Sequence, residues 1–371
     1  MTTRPVSAIV LAADGAARMR SARPKALHLL CGRPMVQYVI DALPRTLVDR
    51  IVVVVGDGAD LVAKKLGETS ADPRVVVVEQ RDGWGSGHGA LVGLEPFSDD
   101  DGDDDILVVA GDIPLVASSV MEQLVAHHRA SGASGTVATA PVDSPAAHHR
   151  VVTGRNGTIE ALVDLDEVGD ADTDGAGSGA HGDASVGLYA FRRSLFAPSL
   201  RRITADPDSG LFALGDVVAV LASTGNQVRA CPLDDADDLA PVVDRIHLAH
   251  AEREIRRRTN EAWMRAGVTM LDPERTYVDA TVALAPDVTL FPGTLLQGNT
   301  VVGAGAEIGP DTRLVDCAIG PNAVVEKTMG RDAEVGEGAR VGPFAVLDPG
   351  SHVEAASRTG PFYHASTDES H

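Results

Sequence analysis

Aromatic residues make up only 4% of the 371 residues, and there are only three cysteines. With so few aromatics, the interior has to be built from aliphatic side chains and alanine, for which a 44% hydrophobic content is ample. Cys31, Cys231 and Cys317 are far apart and odd in number. They have no metal-ligand spacing and make no disulfide framework, so a reducing cytoplasm is the expected setting. Positive charge is also short: 32 Lys and Arg stand against 53 Asp and Glu, a formal net charge of −21. Nucleic acids and membrane surfaces are polyanions that reward Lys and Arg, so this balance argues against both as partners. Arg4 and Pro5 precede only a short apolar run, so the opening holds no segment of signal or membrane-spanning length. The length suggests two or three domains.

What is present begins with residues 7–30, SAIVLAADGAARMRSARPKALHLL. A buried-strand pattern, Ala8-Ile9-Val10-Leu11, runs into a small-residue loop, Ala12-Ala13-Asp14-Gly15-Ala16-Ala17. Arg18 and Lys25 follow. A strand opening into such a loop before a helix start leaves backbone N–H groups pointing outward, which suits an anion, and the two cations suit phosphate oxygens. Similar Val/Ile-rich runs recur at residues 51–55, 75–78 and 106–109, with helix-like segments at 34–42 and 60–66. Short continuous apolar strands alternating with helices predict a doubly wound α/β sheet, with its ligand at the carboxyl ends of the strands.

Two later segments fall at such ends. Residues 83–89 hold four glycines in seven positions. By composition this is a mobile loop, or a backbone that a ligand approaches closely. Val109-Ala110-Gly111-Asp112-Ile113-Pro114-Leu115 ends a strand on a carboxylate. Asp112 there either holds a divalent cation or caps the next turn. Between them, residues 98–105 carry six aspartates without EF-hand spacing, and read as a solvated, self-repelling loop.

The opening resembles the sugar-phosphate nucleotidyltransferases, whose signature is Leu-Ala-Ala-Gly-x-Gly-Thr-Arg-Met followed by Pro-Lys. With Cys31-Gly32-Arg33-Pro34-Met35 it is similar to the GlmU family of N-acetylglucosamine-1-phosphate uridylyltransferases. Leu11, Ala12, Ala13, Arg18, Met19, Pro24, Lys25, Leu27 and His28 match, whereas Asp14, Ala16 and Ala17 stand where the family has Gly, Gly and Thr. The resemblance implies Arg18 and Lys25 as catalytic cations. It implies Leu11, Ala12, Ala13, Gly15, Gln80, Gly85 and Ser86 as nucleotide-binding residues, and Asp112 as a ligand for Mg2+. The Gly-rich segment becomes the cradle of the base, where a Gln80 amide can pair with a uracil edge as donor and acceptor; His88 is assigned no catalytic role.

The sugar half keeps the pattern less well. Residues 151–165 form a hairpin with its turn at Asn156-Gly157. His148 and His149 replace the family's Tyr and Gly, and Asp164 replaces Glu. Ser185-Val186-Gly187-Leu188-Tyr189 resembles Asn-Thr-Gly-Ile-Tyr, so Asp164, Ser185 and Gly187 are the expected sugar contacts. Residues 167–184 read as a disordered insertion. The family's second metal ligand, an Asn, is Val243 here, with Asp244 adjacent. An Asp14 carboxylate near phosphate would repel it by roughly 4 kcal/mol at ~4 Å and an effective dielectric of ~20.

Residues 246–267 read as one amphipathic linker helix whose basic cluster, Arg256 to Arg258, faces solvent. Beyond it, Val278, Leu284, Leu290, Leu296, Val302, Ile308 and Leu314 recur at intervals of six, and after a slip Val335, Val341, Leu347 and Val353 resume the period. One buried aliphatic every six residues indicates a parallel β-helix, and the resemblance makes it left-handed. The expected organisation is a nucleotidyltransferase domain (1–245), linker helix (246–267), β-helix (268–360) and tail (361–371). In the segment resembling the family's Phe-Ala-Arg-Leu-Arg-Pro-Gly, Val346 and Asp348 replace both arginines, so no acetyl transfer is expected. The resemblance implies a nucleoside triphosphate (UTP) and a sugar 1-phosphate (N-acetylglucosamine 1-phosphate) as substrates, Mg2+ as cofactor, and a homotrimer assembled through the β-helix. The alternative expectation is a degenerate paralogue that acts as a binding or scaffold subunit, or a nucleotidyltransferase of altered substrate.

Overall fold

The computed structural model describes residues 4–13, 18–69, 72–97, 104–154, 156–164, 183–234 and 236–366. The chain forms two compact units. The first comprises Met1–His28 with Pro34–Leu248, the second Leu29–Arg33 with Ala249–His371. Leu29–Arg33 therefore groups with the later residues, not with its sequence neighbours. The reason is local: the Cys31 N–H donates to Glu252 Oε2 at 2.7 Å, and the Ala280 N–H donates to the Cys31 carbonyl at 2.9 Å.

The first unit is built on a nine-stranded sheet. Its strands are β1 Val6–Ala12, β2 Val48–Val55, β3 Val75–Glu79, β4 Asp105–Ala110, β5 Gly135–Pro141, β6 His149–Thr153, β7 Ile159–Asp164, β8 Asp183–Arg192 and β9 Val228–Pro232. The main order is β9-β5-β8-β4-β1-β2-β3, with β6 pairing to β8 and β7 to β6. The four apolar runs read from the sequence are β1 to β4, and they lie parallel. The helices are α1 Met35–Ala42, α2 Ala59–Thr69, α3 Ser86–Gly93, α4 Ser118–Ser131, α5 Arg193–Leu200 and α6 Asp216–Ser223. Alternation along β1 feeds two cores. Ala8 and Val10 pack with α1, α2 and α4, while Ile9 packs with α3, α5 and α6. Both faces are thus covered by helices, as short aliphatic strands require. The sheet is not wholly parallel: β8 runs antiparallel to both β4 and β5.

Two sequence readings meet a different outcome. The Gly-rich segment contains a helix, α3, whose glycines allow close packing. A Cβ on Gly93 would stand 2.6 Å from Ile9 of β1, and one on Gly87 2.4 Å from Ile203. Of the six aspartates in 98–105, Asp104 and Asp105 are buried and open β4. Asp105 pairs with Arg129 at 2.8 Å and Arg4 at 3.6 Å, and Asp104 accepts a hydrogen bond from Ser7. The other four, like residues 167–182 of the expected insertion, lie outside the described residues.

The second unit begins within α7, Arg245–Arg265. Its basic cluster is only partly solvated: Arg257 pairs with Glu254 and Glu261, and Arg256 sits 4.5 Å over the Tyr277 ring. From Thr269–Met270 to His364–Ala365 the unit is the left-handed β-helix. Three stacked sheets, of five, six and five very short parallel strands, form its faces. Paired residues are 18 apart at first, as at Tyr277 and Leu295, and 16 apart at Ala318 and Glu334. Ile319, Val325 and Gly330 fill the interior through the apparent slip. The shortened corners place Asp316, Lys327 and Asp332 at positive φ. Threonines line other inner corners with their hydroxyls satisfied, as where Thr294 donates to the Phe291 carbonyl at 2.7 Å.

His128 on α4 gives the first unit a pH dependence. It is buried against Thr136, whose Oγ1 lies 2.9 Å from its Nδ1. Burial lowers its pKa to about 4 from 6.5, opposed by Asp105 and reinforced by the nearby arginines. The folded imidazole therefore stays neutral where the unfolded one takes up a proton. Its contribution is full above pH 6.5 and falls away between about pH 6.5 and 4, by at most roughly 1.4 kcal/mol per pH unit. Urea denaturation at pH 7, 6 and 5 should show this slope, and His128→Gln should lose part of it.

Candidate functional site

The site forms where β1 ends between β2 and β4. Register places Leu11 beside Ala110 and Ala12 beside Val55. Both flanking strands continue into glycine, and both glycines meet backbone. A Cβ on Gly56 would stand 2.8 Å from the Ala13 carbonyl oxygen. One on Gly111 would stand 2.8 Å from the Ala12 Cβ and 2.9 Å from the Leu11 oxygen. The Gly111 N–H instead donates to that oxygen at 2.7 Å. This close seam carries the next residue, Asp112, to the tip of the sheet.

Lys25 arrives from the other side. Pro24 opens a single 3-10 turn over Lys25–Leu27, which turns the lysine inward. Its Nζ lies 2.5 Å from Asp112 Oδ2, with the lysine 7% and the aspartate 15% exposed. A cavity of about 380 Å3 opens beside the pair, with Ala12, Ala13, Arg23, Lys25, Asp57 and Gln80 among its lining. Leu11, Gly111 and Asp112 border an adjoining recess. The structure thus gathers Leu11, Ala12, Ala13, Lys25, Gln80 and Asp112 at one place. Gly15 and Asp14 lie outside the described residues. Arg18, just after them, is exposed. Arg23 and Asp57 line the cavity without having been singled out in the sequence, because neither belongs to a motif.

Beyond Gln80 the chain enters α3 through Gly85, at φ 92. The Gly85 carbonyl accepts from Gln80 Nε2 at 3.1 Å and from the Gly89 N–H at 3.0 Å. Ser86 Oγ accepts from the Leu214 N–H at 3.0 Å, so this hydroxyl anchors a neighbouring segment. Among the expected sugar contacts, Ser185 is fully buried. Its hydroxyl donates to the Tyr189 oxygen at 3.1 Å and accepts from the Gly187 N–H at 3.4 Å. Gly187 has φ 75, and a Cβ there would lie 3.8 Å from the His148 ring. Asp164 ends β7 opposite His149, and its side chain is outside the described residues. These three therefore group around β6, β7 and β8, one strand away from β4.

The segment before α7 closes on Asp112 from behind. The Val242 N–H donates to the Asp112 carbonyl at 2.8 Å, which sets Val243 beside the carboxylate's own backbone. Asp244 is committed elsewhere: its Oδ1 accepts from the Ile246 and His247 N–H groups at 2.9 and 3.0 Å, capping α7. Those bonds lower its pKa. Arg245 Nε donates to the Met19 carbonyl at 3.0 Å and so ties down the chain just after Asp14–Ala17. No spacing along the chain signals that contact, which joins residues 226 apart. His28 is buried beside this group. Burial, then Arg245 and Arg23, lower its pKa.

Among the described residues, no three His, Cys, Asp or Glu side chains converge to hold a metal. Asp112 offers one carboxylate, and Val243 offers no donor. This fits Mg2+ only in the mode where phosphate oxygens and water supply most of the coordination.

An ammonium and a carboxylate beside a cavity, at the carboxyl ends of parallel strands, stand where an open α/β sheet takes its ligand. The MobA-like NTP transferase domain family matches residues 8–272. The fold is also that of a solved CMP:2-keto-3-deoxy-manno-octonic acid synthetase complexed with CTP, with a TM-score of 0.51 at 15% identity, covering 68% of this chain and 99% of that one. The first unit is therefore a nucleotidyltransferase domain. The bifunctional protein GlmU of Kineococcus radiotolerans is 40% identical over 98% of this chain and 72% of its own length. Those of Streptomyces avermitilis and a Geobacillus species are 36% and 32% identical, over 97% and 96% of this chain and 73% and 74% of theirs. The chain belongs to the GlmU family, and with it to the sugar-1-phosphate nucleotidyltransferases.

The seam under Asp112 is testable. Gly111→Ala forces a Cβ against backbone and should cost about 1–3 kcal/mol. A lowered urea midpoint is the expected reading, and an unchanged midpoint would mean that β1 and β4 separate freely.

Proposed function

We propose that the chain joins UTP to N-acetylglucosamine 1-phosphate, releasing pyrophosphate, and that it does not transfer acetyl groups. The observation that carries this reading is the Lys25–Asp112 pair beside the cavity. The sugar phosphate oxygen attacks the α-phosphorus in line, and the bond to pyrophosphate breaks. Lys25 and Arg18 neutralise the phosphate oxygens, and Ala12 and Ala13 border the space that the triphosphate fills. Catalysis of this kind is mainly positioning and electrostatics. Asp112 orients the Lys25 ammonium and is the residue that would hold Mg2+, which supplies charge neutralisation on the departing pyrophosphate. With one carboxylate on offer, Mg2+ should bind together with the nucleotide and only weakly alone. Gly85 borders the base, and Asp164, Ser185 and Gly187 form the sugar side; for Ser185 this requires its hydroxyl to leave Tyr189.

Val346 and Asp348 stand where the family resemblance has two arginines, and Asp348 is paired with His364 at 2.8 Å. That is the ground for proposing no acetyl transfer, and incubation with acetyl-CoA and glucosamine 1-phosphate tests it. Exposed Met329, Phe344, Val346 and Phe362 on the β-helix favour the homotrimer, to be read by sedimentation equilibrium. Consumption of a nucleoside triphosphate fits a cytoplasmic enzyme.

Pyrophosphate release with Mg2+, UTP and N-acetylglucosamine 1-phosphate is the direct assay. Asp112→Ala should lower kcat by about 10²–10³. Equal turnover by the variant would remove Asp112 from the mechanism. Val243 favours a second reading, a paralogue that binds nucleotide without turning it over. No pyrophosphate from the wild type, with activity appearing in Val243→Asn, is the outcome that selects it.

A further inference from the structure

Gln80 has more of its hydrogen bonding decided than its place in a loop suggests. The side chain is buried, and its backbone N–H donates to the Val55 carbonyl at 2.7 Å, so its position follows the end of β2. Its Nε2 lies 3.1 Å from the Gly85 carbonyl oxygen and 3.1 Å from His88 Nδ1. A carbonyl oxygen only accepts, so the face of the amide turned to Gly85 must be its NH2 group. The second amide N–H then meets Nδ1, which accepts only when the imidazole carries its proton on Nε2. Both amide protons are spent, and Gln80 Oε1 has no partner among the described residues. Oε1 lies near Gly89 of α3, where a Cβ would stand 2.9 Å from it, and Gln80 is among the residues lining the cavity. The imidazole is seated by Trp84, whose ring centroid is 5.0 Å away, and the Trp84 carbonyl accepts from the Phe212 N–H at 2.8 Å.

We propose that His88 is a positioning residue: it locks the Gln80 amide with both N–H groups spent, so the carbonyl oxygen is the atom left for the base, which is selected by an N–H that it donates. This rests on reading the cavity as the nucleotide site. Uracil presents N3–H at its pairing edge, whereas cytosine presents N3 as an acceptor, and the two rings are the same size. A fixed acceptor therefore takes uracil and rejects cytosine, which would oppose lone pair to lone pair. The amide does not read the edge as donor and acceptor together, because the protein has already used its donors. If His88 ceases to accept, only Gly85 holds the amide and it can turn to suit either base.

The test compares kcat/KM for UTP and CTP in the wild type, His88→Phe and His88→Asn. Phe removes the acceptor, while Asn places Oδ1 close to the position of Nδ1. The UTP/CTP ratio should fall about tenfold or more in His88→Phe, the scale of one lost hydrogen bond, and should be retained in His88→Asn. A role in folding alone would lower both substrates together and leave the ratio unchanged; an unchanged ratio in folded His88→Phe overturns the inference while nucleotidyl transfer stands. Should the Phe variant not fold, 15N NMR of wild-type imidazole decides: an unprotonated Nδ1 with Nε2–H supports the inference, and a proton on Nδ1 overturns it. A wild type that neither binds nor turns over any nucleotide removes the underlying reading as well.

Discussion

An ammonium and a carboxylate, both mostly withdrawn from water, face one another at 2.5 Å where three parallel strands end. Each makes the other's burial tolerable. Removing Lys25 leaves the Asp112 carboxylate without this ammonium, which costs about 1–3 kcal/mol at its partial exposure. Most of the first unit's local detail serves that meeting. Gly111 lets β4 approach β1 closely enough to deliver Asp112, and Gly56 does the same on the β2 side. Pro24 sets the turn that carries Lys25 inward. The Val242 N–H holds the Asp112 backbone from behind.

The same economy of side chains governs the neighbouring cradle. Gly87 and Gly93 allow α3 to lie against Ile203 and Ile9 at distances that no Cβ would permit. The consequence is a closely packed helix where composition points to a mobile loop. That packing matters chemically, because Gly85 and His88, at the start of α3, are thereby within hydrogen-bond reach of Gln80. A polar group whose donors are satisfied internally presents only its remaining atom to a ligand, and selectivity then comes from a single acceptor.

The second unit works by repetition. Each short strand except Met329–Arg331, whose inward residue is Gly330, contributes one inward apolar side chain, and the backbone of one coil hydrogen-bonds to the next. Shortening a coil from 18 to 16 residues does not break the stack, since polar residues at positive φ tighten the corners and Gly330 yields space to Leu314. The repeat can thus change period locally while its core stays continuous.

Periodicity and composition were enough to announce the architecture. Runs of Val and Ile announced parallel strands, and a six-residue interval announced the β-helix, because both depend on burial patterns written along the chain. The resemblance at residues 11–13, 18–28, 80–89 and 109–115 pointed to segments that the fold brings together beside one cavity, since the strands before them end there. What the one-dimensional pattern did not contain was pairing between distant residues. Asp104 and Asp105 are buried because Ser7, Arg4 and Arg129 reach them, Asp244 is consumed by a helix cap, and Ser185 turns to Tyr189. Burial of apolar side chains is a property of each residue and its spacing, so the sequence by itself determined the fold class. The direction of a hydrogen bond depends on who stands opposite, so only the tertiary structure decided which polar groups remain to meet a ligand.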